Sequence, residues 1–145
     1  MFSEIKSVHF VGVGGTAMAA AAVAMMEKGY AVTGSDNNVY EPMASFLASR
    51  KIAVMNGYAE KNLSHKPDLV VIGNAIARGN PEAEYALDHK LRFCSLPDVL
   101  REFFLAYQET AVLSIAELWA IPPMLQLALV RSIARAAEGE AGDPN

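Results

Sequence analysis

The chain of 145 residues is 52% hydrophobic, which predicts one domain with a full hydrophobic core and at most a short appendage. Its net charge of −4 provides no basic patch, so nucleic acid is not expected as the main partner. The single cysteine, Cys94, excludes an internal disulfide and is expected to be a buried small residue. With no secretory signal and no apolar segment long enough to span a bilayer, we expect a soluble cytoplasmic protein without membrane contact.

The first part of the chain follows the pattern of a strand, a glycine-rich turn, a helix and a second strand. An apolar run over residues 8–13 leads into Gly-Val-Gly-Gly-Thr-Ala at residues 12–17, and a nearly uncharged helix is predicted from Thr16. A second apolar run, residues 31–33, ends in Gly-Ser-Asp. This order predicts the opening βαβ unit of a Rossmann-like domain.

The glycine-rich turn has the features of an anion site. Gly12 permits a tight turn, Gly14 lets backbone amides approach a ligand, and Ala17 stands where the third glycine of the fingerprint usually lies. The helix beginning near Thr16 directs its free N–H groups to the space above the turn, where a diphosphate fits well. Asp36 lies about 20 residues further on, where a carboxylate can accept from a ribose hydroxyl. The alternative is a turn that only closes a strand–helix corner, with Asp36 as a cap.

The remainder of the chain alternates strands and helices. Helices are predicted at residues 43–50, from Pro81 and from Pro97, strands at residues 52–55, 68–74 and 91–96, and a polar loop or single helical turn at 61–67. The unbroken apolar run in residues 68–74 is typical of a strand buried on both faces. The pattern predicts an α/β fold with a parallel five-stranded sheet flanked by helices, and it directs the loop at residues 75–81 to the same crevice as the glycine turn.

The remaining polar candidates have mostly structural interpretations. His9 lies in the first strand and is expected to be a hydrogen-bonded core or edge histidine and not a catalyst, whereas His65 and His89 are expected to be exposed. Asn74 and Asn80 follow the fourth strand, and ligand contact and capping are equally compatible with that position. No set of histidine, cysteine and carboxylate residues has metal-ligand spacing, and no serine has the context of a nucleophile elbow.

These motifs together resemble the N-terminal domain of the Mur ligases, a family that binds UDP-N-acetylmuramic acid derivatives. The family's Gly-x-Gly-Gly-x-x-Met loop and its strand ending in Gly-Ser-Asp are matched here by Gly12, Gly14, Gly15, Met18, Gly34, Ser35 and Asp36. Residues 73–82 are similar to the family's fourth-strand motif. The runs Asn38-Val39-Tyr40, Pro42-Met43 and Arg78-Gly79-Asn80-Pro81 point to the murein-peptide ligases within the family. The resemblance covers residues 5–105.

The resemblance implies a UDP-sugar site without catalytic or metal-binding residues. The glycine loop would hold the diphosphate, and Ser35, Asp36, Asn74 and Ala75 would line the uridine side. The implied ligand-binding residues are Gly12, Gly14, Gly15, Thr16, Ala17, Met18, Ser35, Asp36, Asn74, Ala75, Arg78 and Asn80. In the family, ATP and magnesium act on a central domain that opens with Gly-Thr-His-Gly-Lys-Thr-Thr. This chain contains no Gly-Lys-Thr, so we expect it to be cut before that domain, without a cofactor and without ligase activity alone.

Residues 106–145 depart from the family pattern and are predicted to form a helical tail after a binding domain of residues 1–105. Three interpretations stay open: a fused or rearranged segment, helices that cover the sheet, or an apolar surface for homodimerisation that includes Leu118, Trp119, Leu125 and Leu129. For the whole chain, the alternatives to UDP-sugar binding are an NAD(P)-binding oxidoreductase or sensor domain, or a non-catalytic oligomerisation module.

Overall fold

The computed structural model describes residues 4–110. The chain divides into two units, Met1–Phe103 and Phe104–Asn145, and the sheet and its core belong to the first. The interpretations of the tail depend on residues 111–145, which lie outside the described range, and the proposed domain boundary after residue 105 stays a prediction.

A five-stranded parallel sheet forms the centre of the fold, as the sequence predicts. Its strands are β1 (Ser7–Val11), β2 (Ala31–Asp36), β3 (Ala53–Asn56), β4 (Leu69–Ile72) and β5 (Phe93–Ser95). They lie in the order β3-β2-β1-β4-β5, with every neighbouring pair parallel. This order places β1 and β4 side by side at the centre, with crossovers leaving them in opposite directions. Ligands bind at such a switch point, beyond the carboxyl ends of the strands.

In the described residues, three α-helices and one 3-10 turn connect the strands, and a fourth α-helix follows β5. The helices are α1 (Thr16–Glu27), α2 (Met43–Ser49), α3 (Pro81–Asp88) and α4 (Leu96–Thr110), and the 3-10 turn is Glu60–Leu63. The predicted strands at residues 68–74 and 91–96 are shorter in the structure. The N–H of Gly73 still donates to the carbonyl of Val11, and the chain then turns at residues 74–75, where the N–H of Ile76 donates to the carbonyl of Gly73. Within residues 4–110, no helix is long and apolar enough to cross a membrane.

The core lies on both faces of the central strands. Phe10 and Val71 face a cluster completed by α1, with Leu47 and Val99 from α2 and α4. Val11 and Val70 face a smaller cluster beneath the 3-10 turn and α3. Successive side chains of a strand point to opposite faces, so both faces of β1 and β4 need apolar residues. The predicted burial of the apolar run before Gly73 is therefore confirmed.

Candidate functional site

The glycine loop, residues 12–15, lies across the end of β2. The backbone N–H groups of Gly12 and Val13 both donate to the carbonyl of Ser35, at 2.9 and 3.1 Å. Gly12 has a φ of +85°, a conformation that residues with a side chain rarely adopt, and a Cβ there would come within 3.2 Å of Ile76. The tight turn predicted for Gly12 is confirmed, and it holds β1, β2 and the loop after β4 close together.

Gly14 and Asp36 are in direct contact. The N–H of Gly14 donates to Oδ2 of Asp36 at 2.8 Å, and a Cβ on Gly14 would lie 2.9 Å from that same oxygen. The other carboxylate oxygen accepts from the N–H of Asn38 at 3.3 Å. Glycine is thus required here by the approach of the Asp36 carboxylate, and the predicted approach of a ligand to this backbone stays a prediction. Asp36 fixes the shape of the loop.

The N-terminus of α1 is open. Its N-cap residue is Gly15, and within residues 4–110 no side chain caps this helix end. The first turn contains no acid, and Thr16 and Ala17 are exposed. The first N–H groups of any α-helix have no partner inside the helix, and they carry the positive end of its dipole. The result is an exposed set of donors that suits an anion.

A cleft of about 570 Å³ lies between the glycine loop and the loop that follows β4. Predicted site residues that line it are Gly12, Gly15, Met18, Asp36, Asn74, Ala75, Arg78 and Asn80. Arg78 is exposed, and it is the only cation among the described residues that line this cleft. The loop predicted to face the glycine turn therefore does so, because β1 and β4 are neighbours with their carboxyl ends at one edge.

A smaller hollow of about 360 Å³ lies beside this cleft, beyond the ends of β2 and β3. Asp36 and Asn37 line both spaces, and the hollow is completed by Asn38, Val39, Tyr40, Val54 and Asn56. Tyr40 is 73% exposed, so its ring is available at the rim. The two spaces together extend the candidate site from the glycine loop across the end of β2.

Four predicted site residues lie outside the cleft lining. Gly14, Thr16 and Ala17 belong to the loop and the first turn of α1. Ser35 is fully buried, and its hydroxyl donates to Oε2 of Glu82 at 2.5 Å. The Ser35 side chain is therefore engaged inside the fold, away from the uridine side that the resemblance implies for it.

Asn80 caps α3. Its side-chain oxygen accepts from the N–H groups of Glu82 and Ala83 at 3.0 and 3.2 Å, and Pro81 occupies the first helical position. Of the two interpretations left open for Asn80, capping is what the structure shows, while the residue also lines the cleft.

The sequence predicts Glu82 only as an acid that is favourable to the helix dipole. In the structure, its side chain also forms the centre of a buried hydrogen-bond network. It is fully buried, and its carboxylate accepts from Ser35 and from the side chain of Asn62. Burial raises its pKa, but hydrogen bonds from His9, Ser35 and Asn62 outweigh burial and hold that pKa below the ordinary value. One signal was available: Glu82 precedes the buried Ala86 by one helical turn, so both lie on the inner face of α3.

His9 and Tyr58 lie next to this buried carboxylate. His9 is fully buried and contacts Thr33 through Nδ1 at 2.7 Å, which confirms the prediction of a hydrogen-bonded core histidine. His65 and His89 are exposed, as expected, and Cys94 is buried. Burial, followed by the negative charges of Asp36 and Glu82, raises the pKa of the Tyr58 phenol. Tyr58 therefore keeps its proton at neutral pH, and its hydroxyl is hydrogen-bonded to the Asp36 carboxylate at the wall of the cleft.

Comparison with known proteins identifies the family. Residues 7–108 match the Mur ligase family, catalytic domain. The UDP-N-acetylmuramate–L-alanyl-gamma-D-glutamyl-meso-2,6-diaminoheptandioate ligase of Haemophilus influenzae is 42% identical over 101 residues, which are 70% of this chain and 22% of that protein. The ligase of the same name from Escherichia coli is 42% identical over 98 residues, 68% of this chain and 21% of that protein.

A solved structure also supports membership of this family. The murein peptide ligase of Psychrobacter arcticus superposes with a TM-score of 0.64 at 41% identity, covering 67% of this chain and 20% of that one. The chain thus spans about a fifth of the length of the curated relatives it matches. Matched over most of its length by the family and by relatives of this identity, the chain belongs to the Mur ligase family.

Proposed function

We propose that this chain contains the UDP-N-acetylmuramate-binding part of a Mur ligase of the murein-peptide type, with the diphosphate bound at the N-terminus of α1. The observation that carries the proposal is the open first turn of α1, which has neither a side-chain cap within residues 4–110 nor an acid. The names of the Haemophilus influenzae and Escherichia coli ligases begin with UDP-N-acetylmuramate, a compound that contains a diphosphate.

The charges around the loop suit a diphosphate. The backbone N–H groups at residues 15–18 offer donors that no part of the helix uses, and Arg78 adds a cation on the opposite side of the cleft. Asp36 is the acid nearest to the loop, and its Oδ2 already accepts from Gly14. A bound diphosphate would therefore meet donors on two sides, with the carboxylate turned toward the loop backbone.

The uridine side follows from the same arrangement. Asp36, Asn74 and Ala75 line the cleft, and the hollow that shares Asp36 and Asn37 with it provides space for the base beyond β2. Ser35 acts there through its backbone carbonyl, which holds the glycine loop, because its hydroxyl is bound to Glu82. We assign the sugar to the part of the cleft formed by the loop after β4, which includes Arg78.

The proposed role is to bind and orient the UDP-sugar. The loop at residues 12–18 contains no lysine, and the sequence contains no Gly-Lys-Thr with which a P-loop holds ATP phosphates and magnesium. Joining a peptide to the muramyl carboxylate, the reaction that the family resemblance implies, would need ATP-binding residues that this loop does not provide. We therefore propose that this chain alone does not ligate.

Calorimetric titration of the full chain tests the proposal, with UDP-N-acetylmuramate, NADH and ATP as the three ligands. We expect saturable binding of the UDP-sugar and none of comparable strength for the other two. NADH binding in its place would overturn the proposal in favour of a dinucleotide site.

Arg78→Gln and Arg92→Gln form a matched pair for the same titration. Both arginines are exposed, but Arg92 lies just before β5, at the amino edge of the sheet and away from the cleft. We expect the first variant to weaken the affinity for the UDP-sugar by about threefold to tenfold, more at low salt, and the second to leave it unchanged.

A further inference from the structure

Resting on the proposed function, we infer that Glu82 is a positioning residue, whose buried carboxylate ties three separate segments of the cleft wall into one arrangement. Glu82 itself does not line the cleft. It acts through Ser35 and Ala59, which are adjacent in the chain to residues that line the cleft, so its effect on ligand affinity is indirect.

The carboxylate of Glu82 receives hydrogen bonds from several directions. Oε2 accepts from Ser35 Oγ at 2.5 Å and lies 3.4 Å from Nε2 of His9. Oε1 accepts from the side-chain amide of Asn62 at 2.6 Å and from the N–H of Ala59 at 3.1 Å. In the described part of the chain, no buried side-chain nitrogen or oxygen atom lacks a partner. The network is therefore complete.

Two arms of this network, those to Ser35 and Ala59, end beside residues of the cleft. Ser35 directly precedes Asp36, and Ala59 directly follows Tyr58, and both of those neighbours line the cleft. Glu82 itself follows Pro81, which also lines it. Three segments that are distant in sequence are thus held by two oxygen atoms.

A carboxylate suits this position better than the similar side chains. Two acceptor oxygens satisfy donors from β1, β2 and the segment around the 3-10 turn, whereas glutamine has one acceptor and would present an amide donor to the other side. Losing an acceptor in a buried network leaves its donors unsatisfied, and the segments that carry them shift to find new partners. Such a shift moves Tyr58 relative to Asp36.

The test compares Glu82→Gln and Asn62→Ala with Asp68→Asn in the full chain. Asn62→Ala leaves Glu82 in place but removes its arm to the 3-10 turn, together with the hydrogen bond from the Asn62 amide to the carbonyl of Gly57, so it tests the network even if Glu82→Gln fails to fold. Asp68 is the matched control, since one of its oxygens also accepts from Lys6 N, Ser7 N and Ser7 Oγ, but at the amino end of β1 and away from the cleft.

Two quantities are measured for every folded variant. The first is the affinity for UDP-N-acetylmuramate by calorimetry, at a temperature well below each variant's unfolding midpoint. The second is the NMR signal of the Tyr58 ring in the free chain, labelled at tyrosine and assigned with Tyr58→Phe. A loss of stability alone changes neither quantity in the folded population. A change in both quantities therefore indicates that the residue positions the cleft wall and does not only stabilise the fold.

We expect Glu82→Gln and Asn62→Ala to weaken the affinity about tenfold and to shift the Tyr58 signal, while Asp68→Asn changes neither. If the wild-type chain binds the UDP-sugar and both cleft-side variants bind it equally well with an unshifted Tyr58 signal, the inference is wrong and the proposed function stands. A wild-type chain that does not bind the UDP-sugar overturns the proposed function and this inference together.

Discussion

Helices α1 and α3 begin at the same edge of the sheet, after the neighbouring strands β1 and β4, yet their first turns are built in opposite ways. The first turn of α3 has Asn80 as its cap, Pro81 at the first helical position, and Glu82 and Glu84 as acids. The first turn of α1 follows a glycine, has no acid and, within residues 4–110, no side-chain cap. The donors of α3 are thus satisfied from within the chain, and those of α1 are left for a ligand.

The difference shows how one architecture provides a binding site in one place and rigid support in another. The chain fills the N-terminus of α3 with its own polar groups, and that region then holds the cleft wall through Glu82. The glycines before α1 keep side chains out of the space above its N–H groups. Substitutions at or next to either helix start therefore test this difference.

The largest effect is expected from Gly14→Val. The new Cβ would lie 2.9 Å from Oδ2 of Asp36, so the loop must move and lose its hydrogen bond to that carboxylate. We expect the affinity for UDP-N-acetylmuramate to fall by about a hundredfold or more in calorimetry, as displacements of about 1 Å can cause. Gly15→Ala is the folding control, because the nearest described atoms to a Cβ there are 4.0 Å away. Unchanged affinity in Gly14→Val would show that the loop does not form the site.

Ala17→Glu gives the first turn of α1 the acidic character of α3. Ala17 is exposed, so the new side chain can be accommodated without repacking. Relative to Ala17→Gln, we expect affinity for the UDP-sugar to fall about tenfold through repulsion, and the free energy of unfolding without ligand to rise by about 0.5 kcal/mol through the helix dipole. Calorimetry and urea denaturation measure the two changes. If both variants bind equally well, the diphosphate does not lie at α1.

Asn80→Ala removes the cap of α3. Its side-chain oxygen accepts from two backbone N–H groups, and the loss of such a cap lowers the free energy of unfolding by about 1 kcal/mol. Asn80→Ser, which can still cap, should recover most of that loss in urea denaturation. Equal stabilities for the alanine and serine variants would contradict the assigned role and remove the contrast between the two helix starts.

The smallest effect is expected for the dependence of the free energy of unfolding on pH. The folded pKa of Glu82 is below the ordinary 4.5, since hydrogen bonds from His9, Ser35, Asn62 and Ala59 outweigh burial, which alone would raise it. Its charged form therefore stabilises the fold fully above pH 4.5, and this contribution is lost as the pH falls through the lower folded pKa. Urea denaturation of wild type and Glu82→Gln at a series of pH values should show a gap that narrows only on the acid side. A gap independent of pH would contradict the assignment of a buried charge.

The elements that the sequence predicts well are those with local causes. Three local features determine the nearby backbone: the apolar run before Gly73 through burial, Gly12 through its positive φ, and Pro81 through its missing N–H. The loop after β4 could be directed to the glycine turn because crossover rules place the ends of parallel strands at one edge.

The roles of Glu82, Ser35 and Asp36 were not predictable in the same way. Glu82 and Ser35 are 47 residues apart, and Asp36 and Gly14 are 22 apart, so neither contact has a local signature. An acid in the first turn of a helix is favourable whether it is exposed or buried, so the helix-dipole rule alone does not predict the burial of Glu82. The packing of α3 and of the glycine loop against the end of β2 brings these groups together.

The most direct test of the central claim is an NMR titration of the full chain, labelled with ¹⁵N, with UDP-N-acetylmuramate. We expect the largest amide shifts at saturation on residues 15–18, at the start of α1, whereas the amides of Glu82 and Ala83, already bound to Asn80, should shift little. Saturable binding that shifts the α3 amides most and leaves the signals of residues 15–18 unchanged would contradict the proposed site.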